Sequence, residues 1–133
     1  MKIFIDTNIW ISYFLSRSFG NLDSIFAKKD IEIFTCIEQM DELERVLRYP
    51  KLKNYFPEDV IADLLLFFSE KCTLVAIQRI VQECNDPEDN YILDIGIQHN
   101  LNYIITGDSD LLSMHPFHKL SILKIQNFLH LIE

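Results

Sequence analysis

Met1-Lys2-Ile3-Phe4-Ile5-Asp6-Thr7-Asn8 opens the chain, a short apolar run that stops on a carboxylate. Lys2 to Asp6 has the length and the β-branched and aromatic content of a buried strand. The same pattern returns at Tyr103-Ile104-Ile105-Thr106-Gly107-Asp108, so Asn102 to Thr106 reads as another buried strand ending near an acid. In an α/β protein, ligands gather in the crevice outside the carboxyl ends of parallel strands. Two acids delivered there suggest a divalent-metal site.

Working outward, Asn8 to about Phe14 forms a helix on the first strand, and Trp10 and Phe14, four apart, belong to a core or a subunit interface. Gly20 breaks it, and Leu22, Ile25 and Phe26 restart a helical period. Ile31 to Thr35 alternates as a second strand. Thr35-Cys36-Ile37-Glu38 then has the form of a capping box, followed by Met40, Leu43, Val46 and Leu47 at helical spacing and a stop at Pro50. Pro57 starts a further helix with Val60, Ile61, Leu64, Leu65 and Phe68 inward. Cys72 to Ile77 is strand-like. Asp86-Pro87-Glu88-Asp89 starts a helix, with Asp at the cap and acids in the first turn, that runs to about His99 and buries Ile92, Ile95 and Gly96. Ser121 to Ile125 is a last strand and Gln126 to Leu131 a closing helix. Strands alternating with helices predict an α/β fold with a mainly parallel sheet covered on both faces.

At 133 residues and 49% hydrophobic, the chain is expected to form one globular domain, residues 1–133. No apolar run approaches a membrane span, and the N-terminus has no signal-peptide pattern. Cys36, Cys72 and Cys84 are few, odd in number and widely spaced, which suits neither a disulfide framework nor a zinc motif. A cytoplasmic protein is the expectation. The net charge of −8 is uneven: residues 1–79 carry ten Lys/Arg against twelve acids, and residues 80–133 carry Lys119 and Lys124 against eight. The acidic half suits a solvated face, a metal cluster or a basic partner's surface.

Four acids form a candidate constellation: Asp6, Glu42, Asp89 and Asp108. Each has a plain structural reading. Asp6 and Asp108 suit turns or N-caps, Asp89 suits the positive end of its helix, and Glu42 suits a surface pair with Arg45. As a group they would converge at one sheet edge, since Glu42 lies on the flank of its helix beside core-facing Leu43. Carboxylates so gathered repel unless a cation neutralises them, and oxygen-only ligands favour Mg²⁺ or Mn²⁺ over zinc. Asp86 is close enough to exchange roles with Asp89. Such sites act on phosphates with a metal-activated water. No GxSxG elbow or Walker A loop competes, and three glycines cannot build a phosphate cradle. His115 and His118 lack a third ligand. Arg45, Arg48, Lys51 and Lys53, interleaved with Tyr49 and Tyr55, suit contacts to single-stranded nucleic acid or, equally, a solvated helix end.

Ile5-Asp6-Thr7-Asn8, Glu42-Leu43-Glu44-Arg45-Val46-Leu47 with Arg48-Tyr49-Pro50-Lys51, Asp86-Pro87-Glu88-Asp89-Asn90 and Thr106-Gly107-Asp108-Ser109-Asp110-Leu111 occur in an order and spacing that resembles PIN-domain proteins. More narrowly, the chain resembles the VapC-like toxin component of a toxin–antitoxin pair. The resemblance covers nearly the whole chain and implies a three-layer α/β/α endoribonuclease dependent on Mg²⁺ or Mn²⁺. It implies that Asp6, Asp89 and Asp108 hold metal directly, that Glu42 acts through water, and that Asp110 reaches a second ion. Asn8 and Thr106 would be polar supports. It further implies products with a 5′-phosphate and a 3′-hydroxyl, a homodimer, and inhibition by a cognate antitoxin. Two other readings belong to different classes: a catalytically inactive PIN-like module that binds RNA or protein, and a phosphatase or phospho-acceptor. The latter is disfavoured because Asn8 stands where an Asp-x-Asp would need its second acid.

Overall fold

The computed structural model describes residues 1–16 and 21–133. The expected break at Gly20 lies outside them. The elements run β1 (Lys2–Ile5), α1 (Thr7–Leu15), α2 (Asn21–Phe26), β2 (Glu32–Thr35), α3 (Ile37–Leu47), α4 (Glu58–Lys71), β3 (Cys72–Leu74), α5 (Asn90–Gln98), β4 (Tyr103–Ile105), α6 (Ser109–Leu112), β5 (Ser121–Leu123) and α7 (Ile125–Ile132). Single 3₁₀ turns at Pro50–Leu52 and Pro87–Asp89 punctuate the chain.

All strand pairs are parallel, in the order β3-β2-β1-β4-β5. The chain winds outward from β1 through β2 to β3, then returns to β4 on the other side of β1. The winding therefore reverses between β1 and β4, the place where an open α/β sheet forms its crevice.

Strand periodicity divides the core. Ile3 and Ile5 face a cluster with Trp10, Phe14, Leu43, Phe68 and Phe128, while Phe4 faces one with Phe34, Ile92, Ile95 and Ile104. Alternate side chains point to opposite faces of the sheet, so an apolar residue at each of positions 3, 4 and 5 requires helices on both sides. The result is the expected three-layer arrangement. Gly96 lets α5 approach closely, because a Cβ there would stand 2.5 Å from Leu120 Cδ2.

Several local expectations are corrected. The capping box does not form: Cys36 is the cap of α3 and makes no side-chain cap bond. Thr35, the last residue of β2, instead donates its buried hydroxyl to Gln39 Oε1 at 2.6 Å. Gln39 Nε2 donates in turn to the Ile5 carbonyl at 2.7 Å, which also receives the Trp10 indole N–H at 3.2 Å. Gln39→Leu keeps the volume but removes both bonds from a residue 1% exposed. The expected cost is about 1–3 kcal/mol, the penalty for a buried polar group left unpaired, measured as a lower midpoint in urea.

The strand-like stretch Cys72 to Ile77 is regular only to Leu74. Beyond it the backbone becomes a strap across α5, whose side chains hold it. Asp94, 1% exposed, accepts from the N–H groups of Ile80 and Val81, Gln98 bonds both polar groups of Gln78, and Asn90 Oδ1 accepts from Cys84 N. Ile125 begins α7 instead of ending β5. The short helix α6 was not expected.

Candidate active site

The site is built where β1 and β4 end. Asp6 N donates to Ile105 O at 2.9 Å and Thr106 N to Leu123 O at 2.9 Å, so each residue continues its ladder one step beyond the strand. Asp6 and Thr106 are thereby fixed side by side and buried. The Thr106 hydroxyl donates to Asp6 Oδ2 at 2.7 Å and accepts from Asp108 N at 3.0 Å. One hydroxyl thus sets both the carboxylate after β1 and the backbone that carries the acid after β4. Asp108 also caps α6, its Oδ1 accepting from Asp110 N at 2.9 Å.

Asp89 arrives on the 3₁₀ turn that leads into α5. Asp86 shapes that turn, Oδ1 accepting from Glu88 N at 3.0 Å. The carboxyl group of Asp89 lies within the electrostatic reach of Asp108, Asp6 and Asp86. Glu42 comes from α3, and its Oε1 accepts from Thr7 Oγ1 at 2.6 Å and Tyr91 Oη at 2.8 Å. The plain reading of Glu42 as a surface partner of Arg45 is therefore wrong. Asn8 lies exposed on α1; the residue beside it, Thr7, makes the polar contact instead.

The electrostatics register this crowding. Burial, above all, pushes the Asp6 carboxyl from 3.8 up to about 6; the Thr106 hydrogen bond opposes the rise, and the charges of Glu42 and Asp108 add to it. Asp89 is also held well above the ordinary carboxylate range, first by burial, then by Asp108 and by the charges of Asp6 and Asp86. Like charges gathered around a half-buried Asp89 repel unless a proton or a cation offsets them.

A hard divalent cation fits this donor set, which is all oxygen. Cys84 is buried near Asp89, and its thiol is pushed up by burial, so it stays protonated and unsuited to a soft metal. Among the described residues, no group of three or more acid, histidine or cysteine side chains is arranged so that it could hold a metal ion. The four acids share one edge.

The expected basic strip is only partly available. Arg48 pairs with Glu44 at 2.9 Å and grips both oxygens of Glu58 at 3.0 and 3.1 Å, tying α3 to α4. Lys51 and Lys53 are exposed on the turn after α3. Arg45 and Arg79 line a cleft of about 260 Å³ with Tyr91 and four acids, Glu38, Asp41, Glu42 and Glu88. Reading the sequence missed Arg79, Thr7 and Tyr91. His115 Nδ1 accepts from Ile122 N at 2.9 Å, a structural role that agrees with its rejection as a metal ligand.

No curated protein sequence matches the chain significantly. Among solved structures, a chain of VapBC2 from Rickettsia felis, crystallised bound to a DNA fragment from their promoter, is similar at a TM-score of 0.61. It is 14% identical, and the match covers 92% of this chain and 97% of that one. The sequence profile of the PIN domain matches residues 2–110, from β1 through the start of α6 and across all four acids. The chain belongs to the PIN-domain family.

Proposed function

We propose that this PIN domain is a Mg²⁺- or Mn²⁺-dependent endoribonuclease. The observation that carries this reading is the convergence of Asp6, Glu42, Asp89 and Asp108 at the point where the sheet winding reverses. Asp6, Asp89 and Asp108 would hold the cation directly and Glu42 through water, with Asp110 beside them. When bound, the cation supplies charge neutralisation at the phosphoryl oxygens and a more acidic water. The protein's own part is orientation. Thr106 fixes Asp6 and the Asp108 backbone, the 3₁₀ turn before α5 carries Asp89, and Glu42 would accept a proton from the attacking water. Arg45 and Arg79 in the adjoining cleft give the strand's phosphates a place to bind beside an otherwise acidic edge.

The substrate class and setting are part of the same proposal. The motif resemblance to toxin components, together with the fold shared with the VapBC2 chain, supports a toxin of a toxin–antitoxin pair acting on RNA in the cytoplasm. It also supports homodimerisation and restraint by a cognate antitoxin. Among the described residues no helix is long and apolar enough to cross a membrane. Purified protein should cleave mixed RNA in Mn²⁺, leaving 5′-phosphates, and stop in EDTA. Cleavage that persists in EDTA would remove the metal from the proposal, and no cleavage with any RNA would favour the inactive binding module.

A further inference from the structure

Tyr91 occupies a position where phenylalanine would pack equally well. It is 3% exposed, and its ring stands edge-on to Phe4, itself fully buried, with centroids 6.1 Å apart. A phenol that deep needs a partner for its hydroxyl. The partner is Glu42, and Thr7 donates to the same carboxylate oxygen. Among the described residues no hydrogen bond reaches Glu42 Oε2.

We propose that Tyr91 is a positioning residue that, with Thr7, locks Glu42 by Oε1 and leaves Oε2 as its working oxygen. This inference rests on the nuclease reading for the task of Glu42, but the lock itself stands on geometry. Thr7 directly follows Asp6 and begins α1, in one helical layer. Tyr91 lies two residues after Asp89 on α5, in the other layer. Glu42 on α3 is therefore pinned between the elements that carry two of the other acids. Two short bonds to one oxygen remove most of the rotational freedom of a glutamate, the usual obstacle to using so long a side chain precisely. The phenol ring is itself fixed by the core, so the position of its hydroxyl is set by packing and not by a surface rotamer.

Outer contacts of this kind typically change metal affinity or activity about 10–100-fold when removed. Tyr91→Phe should therefore weaken Mn²⁺ binding, read by titration calorimetry, by about 10–100-fold. It should lower kcat on a mixed-sequence RNA oligonucleotide by a similar factor with KM nearly unchanged, the pattern of an interaction needed for the chemical step and not for substrate binding. Thr7→Val should act in the same direction, and the double variant should lose less than the product of the two effects, because both donors serve one oxygen. Thr7→Ser keeps the hydroxyl and should retain most of the wild-type values. A Tyr91→Phe protein that loses stability but keeps both Mn²⁺ affinity and kcat overturns the lock. If wild-type protein binds Mn²⁺ but cleaves no RNA, the nuclease reading falls, and the Mn²⁺ affinity ratio still decides the lock. Wild-type protein that binds no Mn²⁺ overturns both.

Discussion

Asp6→Asn is expected to lower RNA cleavage by more than about 100-fold, a floor set by what the loss of a merely supporting partner costs at a metal site. The same variant should be more stable than wild type in EDTA. The carboxyl of Asp6 is 7% exposed and titrates at about 6 where an ordinary aspartate titrates at 3.8. A raised carboxyl means that the folded state binds its proton more tightly than the unfolded chain. Its contribution to stability is complete below pH 4 and is lost as pH rises through about 6. Above that pH the buried charge costs about 3 kcal/mol, from a change of about two in pKa at about 1.4 kcal/mol each. Asparagine carries no charge and still offers an oxygen to the Thr106 hydroxyl. Unfolding in urea at pH 8 with EDTA should therefore show a gain approaching that value, while initial rates in Mn²⁺ collapse. An active Asp6→Asn protein, or one destabilised at pH 8, would contradict the role assigned to this residue.

A residue whose removal improves the fold while ending activity belongs to the part of the molecule where local rules are broken for function. The rest of the site follows the same logic. Asp89 is held above the ordinary carboxylate range by burial and by the acids around it, a cost that a proton or a cation relieves. The backbones of Asp89 and Asp108 are fixed by strong local devices: a strand end, a threonine bridge, an N-cap and a 3₁₀ turn beginning with proline. Moving either backbone breaks one of these hydrogen bonds.

The acids were legible in the sequence because their positions depend on local signals. Ile3, Phe4 and Ile5 define a strand buried on both faces, so Asp6 must emerge at its carboxyl end. Ile104 and Ile105 do the same for Thr106 and, two residues on, Asp108. Asp86-Pro87 fixes where α5 starts, and hence where Asp89 stands. The parallel sheet then follows from alternation of strands and helices, and convergence of the acids follows from the sheet. The donors to Glu42 were not legible. Tyr91 lies in a helix whose apolar run is broken only by Asn90, Asp94 and Gln98, and nothing local marks its hydroxyl as different from a surface phenol. Its role exists only once α3 and α5 meet across the edge of the sheet. Thr35 shows the converse: a capping signal with the right spacing was diverted, because a strand-end residue buried beside Gln39 donates its hydroxyl to Gln39 Oε1 instead of accepting from the first N–H groups of the helix. The strap from Val75 onward was misread in part because apolar Val75, Ile77 and Val81 do cover the core on that face. Past Val75, whose N–H still donates to Thr35 O of β2, its backbone groups bond to Asp94, Gln98, His99 and Asn90 instead of to a neighbouring strand.

Protons and divalent cations should compete for this edge, and the competition should be visible in stability without any substrate. Asp6 and Asp89 are both raised, so in EDTA the midpoint of thermal unfolding should fall as pH rises from 4 through 6 and continue falling beyond it, since Asp89 lies above the ordinary range as well. A cation removes that slope by taking the place of the protons. Its affinity should therefore increase with pH, about tenfold per unit for each proton it displaces. At a Mn²⁺ concentration about 100 times the dissociation constant at pH 8, binding adds about 2.7 kcal/mol. At pH 5 the same concentration should add little, because Asp6 is then mostly protonated. Differential scanning fluorimetry with Mn²⁺ or EDTA at pH 5 and pH 8 reads both effects. The expected pattern is a large Mn²⁺-induced rise in midpoint at pH 8, a small one at pH 5, and neither in Asp6→Asn. Equal shifts at the two pH values would mean that the cation binds somewhere other than the edge formed by Asp6, Asp89 and Asp108. A rise that survives in Asp6→Asn would mean that the buried carboxylate after β1 is not a ligand.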